Sequence, residues 1–419
     1  MKLEIERLGH HGLGVAPGPV FVPMALPGEV VEGEVVDGRM AAARIVTPSP
    51  DRVTAPCPHY RSCGGCLLMH ASDPFVADWK AGAVAGAVRA QGLDATVRGV
   101  ETSPPRSRRR ANFAGRRTKK GAIVGFHGRA SGVLVPIPDC LLLDPALMSV
   151  MPALQEIVLL GASRKAEMTL AATVAEGGVD LSVSGGKPLD QGLFSALSDV
   201  AERHGLARIS WDGELALSLH PALQRFDDLA IEPPSGGFLQ ATAAGERALR
   251  ALVTEAVGEP RRLLDLFAGS GTFALPLARR AEVHAVEGDP AMLAALDRGW
   301  RRAPGLHRLT TEARDLFRRP LLADELRGYD AVVIDPPRAG AQAQTAALAA
   351  AGVPVIASVS CNPVSFARDA QVLVAAGYRL DWIHVVDQFR WSPHIELVAR
   401  FIAPGGPAGP VLPVRRGSV

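Results

Sequence analysis

The sequence predicts an α/β doubly wound domain at its C-terminal end, an OB-like β-barrel at its N-terminal end, and an α+β domain between them. Three observations carry this. From residue 236 onward strand-like and helix-like runs alternate: "RRLLDLF", "FALPLARR", "EVHAVEGD", "PAMLAALDRGW", "YDAVVIDPP", "VPVIASVSC", "YRLDWIHVVDQF", "IELVARFIA". That is the rhythm of a sheet with crossover helices. Residues 1–50 instead hold short β-like runs separated by Gly and Pro, "LEIERL", "VFVPMAL", "VVEGEVV" and "MAAARIV", the spacing of a small barrel. The length of 419 residues suits two or three domains of about 150 residues.

Composition sets the frame. A hydrophobic content of 47% with 21% charged residues fits ordinary globular domains with sizeable cores. The start "MKLEIERLGHHGLGV" carries Glu4 and Glu6 and no continuous apolar run, so it does not read as a signal peptide. Residues 339–367 are uncharged, but Gln342, Gln344, Gly352 and Pro354 interrupt them; they read as a helix and a buried strand, with no membrane span. The expected compartment is the reducing cytoplasm, where clustered cysteines are metal ligands or catalysts more often than disulfides.

The middle region, 51–235, holds a helix-like Ala-rich stretch near 76–90 and strand-like runs such as "EMTLAATV" and "GVDLSVSG". "IEPPSGGF" then marks a hinge into the α/β region, 236–405. The tail, 406–419, is rich in Gly and Pro and reads as disordered. Net charge is only +2, yet residues 101–130 carry nine Arg or Lys against one Glu. The run "PPRSRRRANFAGRRTKKGAIVGF" interleaves bases with Phe113 and Phe126. It reads either as a solvated hairpin face or as a surface that follows nucleic-acid phosphates.

The α/β region carries the clearest chemistry. "LLDLFAGSGTFALPLA" is a strand, a turn with Gly269 and Gly271, and a helix. Small residues let backbone approach a ligand, and the helix start offers free N–H groups. Glu287 ends the next strand, where a carboxylate can accept ribose hydroxyls. The turn lacks the full G-x-G-x-x-G, which argues against NAD. "YDAVVIDPPRAG" ends another strand in Asp335-Pro336-Pro337, and "VIASVSCNP" puts Cys361 at the end of the next. Both ends face the crevice where ligands bind in such sheets.

On these motifs the chain resembles the RNA uridine-C5 methyltransferases. "DPPR-x-G" followed by "SCNP" is that family's hallmark, and "FLQAT" (238–242) and "DQFRWSPHIE" (387–396) are similar to it as well. "PGEVVEGEV" resembles the family's N-terminal RNA-binding TRAM domain. The resemblance implies a class I (Rossmann-like) methyltransferase domain using S-adenosylmethionine. It implies Cys361 as the nucleophile, Glu396 as the base and Asp335 as a group that orients uracil or cofactor. Cofactor contacts are implied at Gln240, Phe267, Thr272, Glu287, Asp315 and Asp335. Three positions depart from the family: Thr272 replaces Asn, Arg390 replaces Pro, and Ser392 replaces Thr.

The remaining cysteines, Cys57, Cys63 and Cys66 in C-x5-C-x2-C and then Cys140, resemble the family's iron–sulfur branch. That branch implies a [4Fe–4S] cluster and 23S rRNA as the substrate. Spacing alone also admits zinc, which accepts four thiolates, and the same chemistry on tRNA stays open. Two rivals remain at this point: an amino-group methyltransferase, made less apt by Arg338 after Asp-Pro-Pro, and an iron–sulfur RNA-binding or redox-sensing protein. A monomer is expected.

Overall fold

The computed structural model describes residues 1–406; the remainder of the tail expected to be disordered lies outside them. The catalytic end is built on an eight-stranded sheet. Its order is Leu309–Ala313, Glu282–Glu287, Arg262–Leu266, Ala331–Ile334, Val355–Ser360, Leu397–Ile402, Arg379–Asp387, Val97–Thr102. The first five strands are parallel. Leu397–Ile402 lies antiparallel to both its neighbours. Chain order reverses between Arg262–Leu266 and Ala331–Ile334, so a crevice opens beyond their carboxyl ends.

The strand period of two sorts the core. Leu263, Val283, Ala285, Ala331 and Val333 face the helices Ala243–Val257 and Pro290–Arg302 through Leu249, Val253, Leu293 and Leu296. Leu264, Leu266, Val286, Val332 and Ile356 face the opposite layer, which includes Leu348, Phe366 and Leu373 of the helices Gln342–Ala351 and Pro363–Ala375. The uncharged stretch 339–367 is thus a helix and a strand. Among the described residues no helix is long and apolar enough to cross a membrane.

A seven-stranded, mainly antiparallel sheet forms the middle of the molecule. It runs Leu134–Pro136, Gly121–His127, Arg110–Thr118, Glu167–Ala175, Gly178–Ser184, Leu206–Trp211, Glu214–Ser218. The helices Met151–Gly161 and Gln191–His204 cover it through Leu154, Ile157, Leu197 and Val200. At the N-terminus two three-stranded sheets enclose a separate small core of Ile5, Val22, Ala25, Val31 and Met40.

Two details differ from the sequence reading. The middle segment, 51–235, is not one body in space. The Ala-rich helix Asp73–Ala90 buries Val84 and Val88 in the second core layer of the eight-stranded sheet, and Val97–Thr102 completes that sheet's edge. An apolar helix face and an unpaired strand edge both need cover, and these residues supply it. The aromatics of the basic run are also committed elsewhere. Phe113 is buried and stacks on Phe126, with centroids 5.4 Å apart, because both point to the core side of their strands.

Candidate active site

The strand Arg262–Leu266 ends in a sharp turn. Phe267, Gly269 and Gly271 have φ of +63°, +54° and +88°, which only glycine adopts without strain. Gly271 is also needed for space, since a Cβ there would lie 2.3 Å from Leu296 Cδ1. The Gly269 N–H donates to Glu287 Oε2 at 3.0 Å, and the Asp289 N–H donates to Glu287 Oε1 at 3.0 Å. Glu287 is therefore fixed at the end of its strand with its carboxylate on the cleft wall. Asp315 lines the same cleft while its Oδ1 accepts the Phe317 and Arg318 amides at 3.0 and 3.2 Å. Phe267 stands beside Phe317, with ring centroids 5.5 Å apart.

The cleft has a volume of ≈ 890 Å³ and is lined by Gln240, Phe267, Glu287, Asp315, Asp335, Cys361 and Glu396 among others. Of the residues expected on its wall, Thr272 alone is absent. It follows Gly271 as the chain turns toward the short helix Ala274–Leu277, and it does not line the cleft.

The two hallmark motifs are tied to each other. Asn362 caps the helix Pro363–Ala375 by accepting the Val364 N–H at 3.1 Å, with Pro363 in the first turn. The Asn362 amide donates to the Arg338 carbonyl at 2.9 Å, and the Ser365 hydroxyl donates to the same oxygen at 3.0 Å. "SCNP" thereby holds "DPPR", and Cys361 and Asp335 line the same cleft beside the start of that helix.

The electrostatics favour neutral forms. Burial, then the charges of Glu396 and Asp335, push the Cys361 thiol up to about 11. Burial raises the Asp335 carboxyl, and burial followed by the Asp335 charge raises Glu396. Asp265, fully buried behind them with neither oxygen hydrogen-bonded, is raised well above the usual carboxylate range by burial and then by Asp335. The buried acids oppose one another's ionisation, so any proton that leaves this site makes the next one harder to remove.

The segment that carries Glu396 is clamped from three sides. Lys80 Nζ, wholly buried, donates to Asp387 Oδ1 at 2.6 Å, to the His394 carbonyl at 2.8 Å and to the Phe389 carbonyl at 3.3 Å. Arg390, where the family has Pro, pairs with Asp73 and donates to the Ser103 carbonyl at 3.1 Å. Ser392, where the family has Thr, accepts the His394 N–H at 3.3 Å. The loop is thus shaped by polar contacts that its own departures provide. Gln388 joins Gln240, at 2.6 Å, to Glu396, at 3.0 Å. Arg109, from the basic run, pairs with Glu246 and donates to the Gln240 carbonyl at 3.1 Å. Sequence reading singled out none of Lys80, Arg109 and Gln388. Gln388 and Arg109 stood inside stretches already noted, whereas Lys80 gave no local signal.

Cys57, Cys63, Cys66 and Cys140 meet, 74 residues after the last of the first three in Cys140's case, around one small apolar pocket walled by Met69, Phe126, Ile137 and Leu142. All four are free thiols. Burial and then the other three cysteines push Cys66 up to about 12. The Gly65 N–H points at Cys63 Sγ from 3.4 Å. Four thiols facing one apolar pocket, with Arg129 donating to the Cys66 carbonyl at 2.5 Å beside them, fit a group that accepts four thiolates. Among the described residues no cluster of three or more His, Cys, Asp or Glu is placed to hold a metal ion.

The reversed strand order, the Gly-rich turn facing a ribose-type carboxylate, and the crevice beside them define a class I methyltransferase. Comparison with known proteins narrows the class. Residues 306–400 match the family tRNA (Uracil-5-)-methyltransferase. An RNA methyltransferase of Rhizobium meliloti is 44% identical over 95% of this chain and 98% of its own. The 23S rRNA (uracil(1939)-C(5))-methyltransferase RlmD of Chromohalobacter salexigens is 35% identical over 94% of this chain and 87% of its own. The crystal structure of Pyrococcus abyssi tRNA (uracil-54, C5)-methyltransferase with S-adenosyl-L-homocysteine shares the fold, with a TM-score of 0.76, 24% identity and coverage of 96% and 99%. The chain belongs to the S-adenosylmethionine-dependent RNA uracil-C5 methyltransferase family.

Proposed function

We propose that the protein methylates a uridine of 23S rRNA at C5, with Cys361 as nucleophile, Glu396 as base and Asp335 as the orienting acid. The observation that carries this reading is that Cys361, Asp335 and Glu396 line one cleft with Glu287 and Asp315. Uracil C5 is a poor nucleophile. The Cys361 thiolate adds to C6, and the electrons displaced make C5 nucleophilic. S-adenosylmethionine supplies an electrophilic methyl group on a sulfonium. Glu396 then takes the C5 proton, the C–H pair forms the C5–C6 double bond, and the Cys361 thiolate leaves. Gln240, Phe267, Glu287, Asp315 and Asp335 contact the cofactor, Glu287 through its ribose; Thr272 lies off the cleft wall.

A stacked, paired uracil hides C6, so the target is flipped out or lies in a loop. In this reading the barrel at 1–50 and the exposed Arg116, Lys119 and Lys120 hold the surrounding RNA backbone, and the protein works as a monomer in the cytoplasm. The four clustered cysteines hold a [4Fe–4S] cluster, which spreads its thiolates farther apart than one zinc ion does and supplies a structural cross-link. The large-subunit substrate follows from the resemblance to the iron–sulfur branch and from the similarity to the RlmD protein.

The test uses methyl-labelled S-adenosylmethionine with unmodified total RNA, followed by separation of ribosomal and transfer RNA and digestion to nucleosides. Label in 5-methyluridine of rRNA, lost in Cys361→Ala, is expected. Label confined to tRNA would keep the chemistry and overturn the substrate. Label in another nucleoside would sink the reading.

A further inference from the structure

Gln388 is 2% exposed, and every polar group of its amide is used. Its Oε1 accepts the Ala241 N–H at 2.7 Å. Its Nε2 donates to Gln240 Oε1 at 2.6 Å and to Glu396 Oε2 at 3.0 Å. A backbone N–H can only donate, so Ala241 fixes which end of the amide is oxygen. Both amide hydrogens must therefore point at Gln240 and Glu396. Gly245 makes the room: a Cβ there would lie 2.6 Å from Gln388 Cβ.

The consequence falls on Glu396, which is 4% exposed and feels the Asp335 charge. Among the described residues Gln388 is the donor to Glu396, and it opposes burial there, because a hydrogen bond to a carboxylate favours its charged form. It also distinguishes the two oxygens. Oε2 carries the Gln388 bond, which leaves Oε1 for a substrate proton.

We infer that Gln388 is a positioning residue for C5 deprotonation: its hydrogen bond favours the charged form of Glu396 and fixes Oε2, leaving Oε1 for the proton. This rests on Glu396 being the base. Because deprotonation comes last, its failure leaves Cys361 bonded to C6 of a methylated uracil. A faulty base-positioning residue thus has a signature that a merely structural residue lacks: a protein–RNA adduct that survives denaturation.

The experiment compares wild type, Gln388→Leu and Glu396→Gln with an RNA fragment and S-adenosylmethionine, reading denaturing gels, free 5-methyluridine and the pH–rate profile. Gln388→Leu is expected to accumulate adduct, to release product at least about tenfold more slowly, and to shift its pH profile upward. Gln388→Met serves the same purpose if the leucine variant does not fold. Adduct in Glu396→Gln, with neither adduct nor a pH shift in the Gln388 variants, overturns the inference alone. No adduct in Glu396→Gln, with turnover retained, overturns the base assignment and this inference with it.

Discussion

Lys80 Nζ lies 2.6 Å from Asp387 Oδ1, although 307 residues separate them in the chain. Both side chains are sealed from solvent, and the Lys80 ammonium spends its other two hydrogens on carbonyls of the segment that carries Glu396. This pair joins a helix that precedes the seven-stranded sheet to the catalytic loop at the far end of the chain. Removing Lys80 strands a buried carboxylate. Lys80→Met should destabilise the protein by ~3–5 kcal/mol in denaturant unfolding, and Lys80→Met with Asp387→Leu should recover part of that loss.

Activity should rise with pH across the neutral range. Glu396 works as a base only when ionised, and its folded pKa is held high by burial and then by Asp335. The Cys361 thiol, held up at about 11 by burial and then by Glu396, pulls in the same direction. Asp335→Asn should move the rise to lower pH, because it removes a negative charge from beside both groups. Single-turnover rates between pH 6 and 9 check this.

Stability should run the opposite way. Asp265, Asp335 and Glu396 have folded pKa values above their unfolded ones, so the folded state binds more protons than the unfolded state does. Their contribution is complete below the unfolded pKa, near about 4, and is lost as pH rises through the folded values. Thermal unfolding of the cofactor-free protein should show Tm falling from mildly acidic to alkaline pH. Asp265→Asn should make that fall shallower.

Gly271→Ala should impair the cofactor site. The added methyl meets Leu296 at 2.3 Å, and φ is +88°. A loss of ~1–3 kcal/mol in stability and weaker S-adenosylmethionine binding by calorimetry are expected. Gly82→Ala, on the helix Asp73–Ala90 with nothing within 4 Å of the added methyl, is the control.

The cysteine pocket and the catalytic loop should respond together. Trp391 packs with Tyr60 and Met69 beside Cys57 and Cys66, and its carbonyl accepts the Leu67 and Leu68 N–H groups at 2.8 and 2.9 Å. Removing the proposed cluster with an iron chelator should lower Tm and change Trp391 fluorescence, read as the difference from Trp391→Phe. An unchanged difference spectrum would uncouple the two sites.

Glu287, Asp335 and Cys361 could be placed at the cleft on physical grounds: each follows an apolar run that reads as a buried strand, and in a doubly wound sheet such ends face the crevice. Glu396 came from the family resemblance alone. Gln388 was not legible as a positioning group, because its role is set by Ala241, 147 residues away. The allegiance of Asp73–Ala90 was hidden similarly: an Ala-rich helix shows which face is apolar, and Val84 and Val88 do not say which sheet they cover. Phe113, noted among the arginines, lies in the core, because alternation along a strand, not proximity to arginines, decides which side chains reach solvent.

The edge strand Val97–Thr102 has one more consequence, for anyone who would cut this protein into modules. A fragment beginning at residue 236 would contain the Gly-rich turn, Cys361 and Glu396, yet it would lack that strand, the helix Asp73–Ala90 and Lys80. Its strand Arg379–Asp387 would become a bare, unpaired border, open to joining another chain. The catalytic half is therefore no transplantable cassette: part of it is written ahead of the seven-stranded sheet, and any exchange with a relative must carry both pieces.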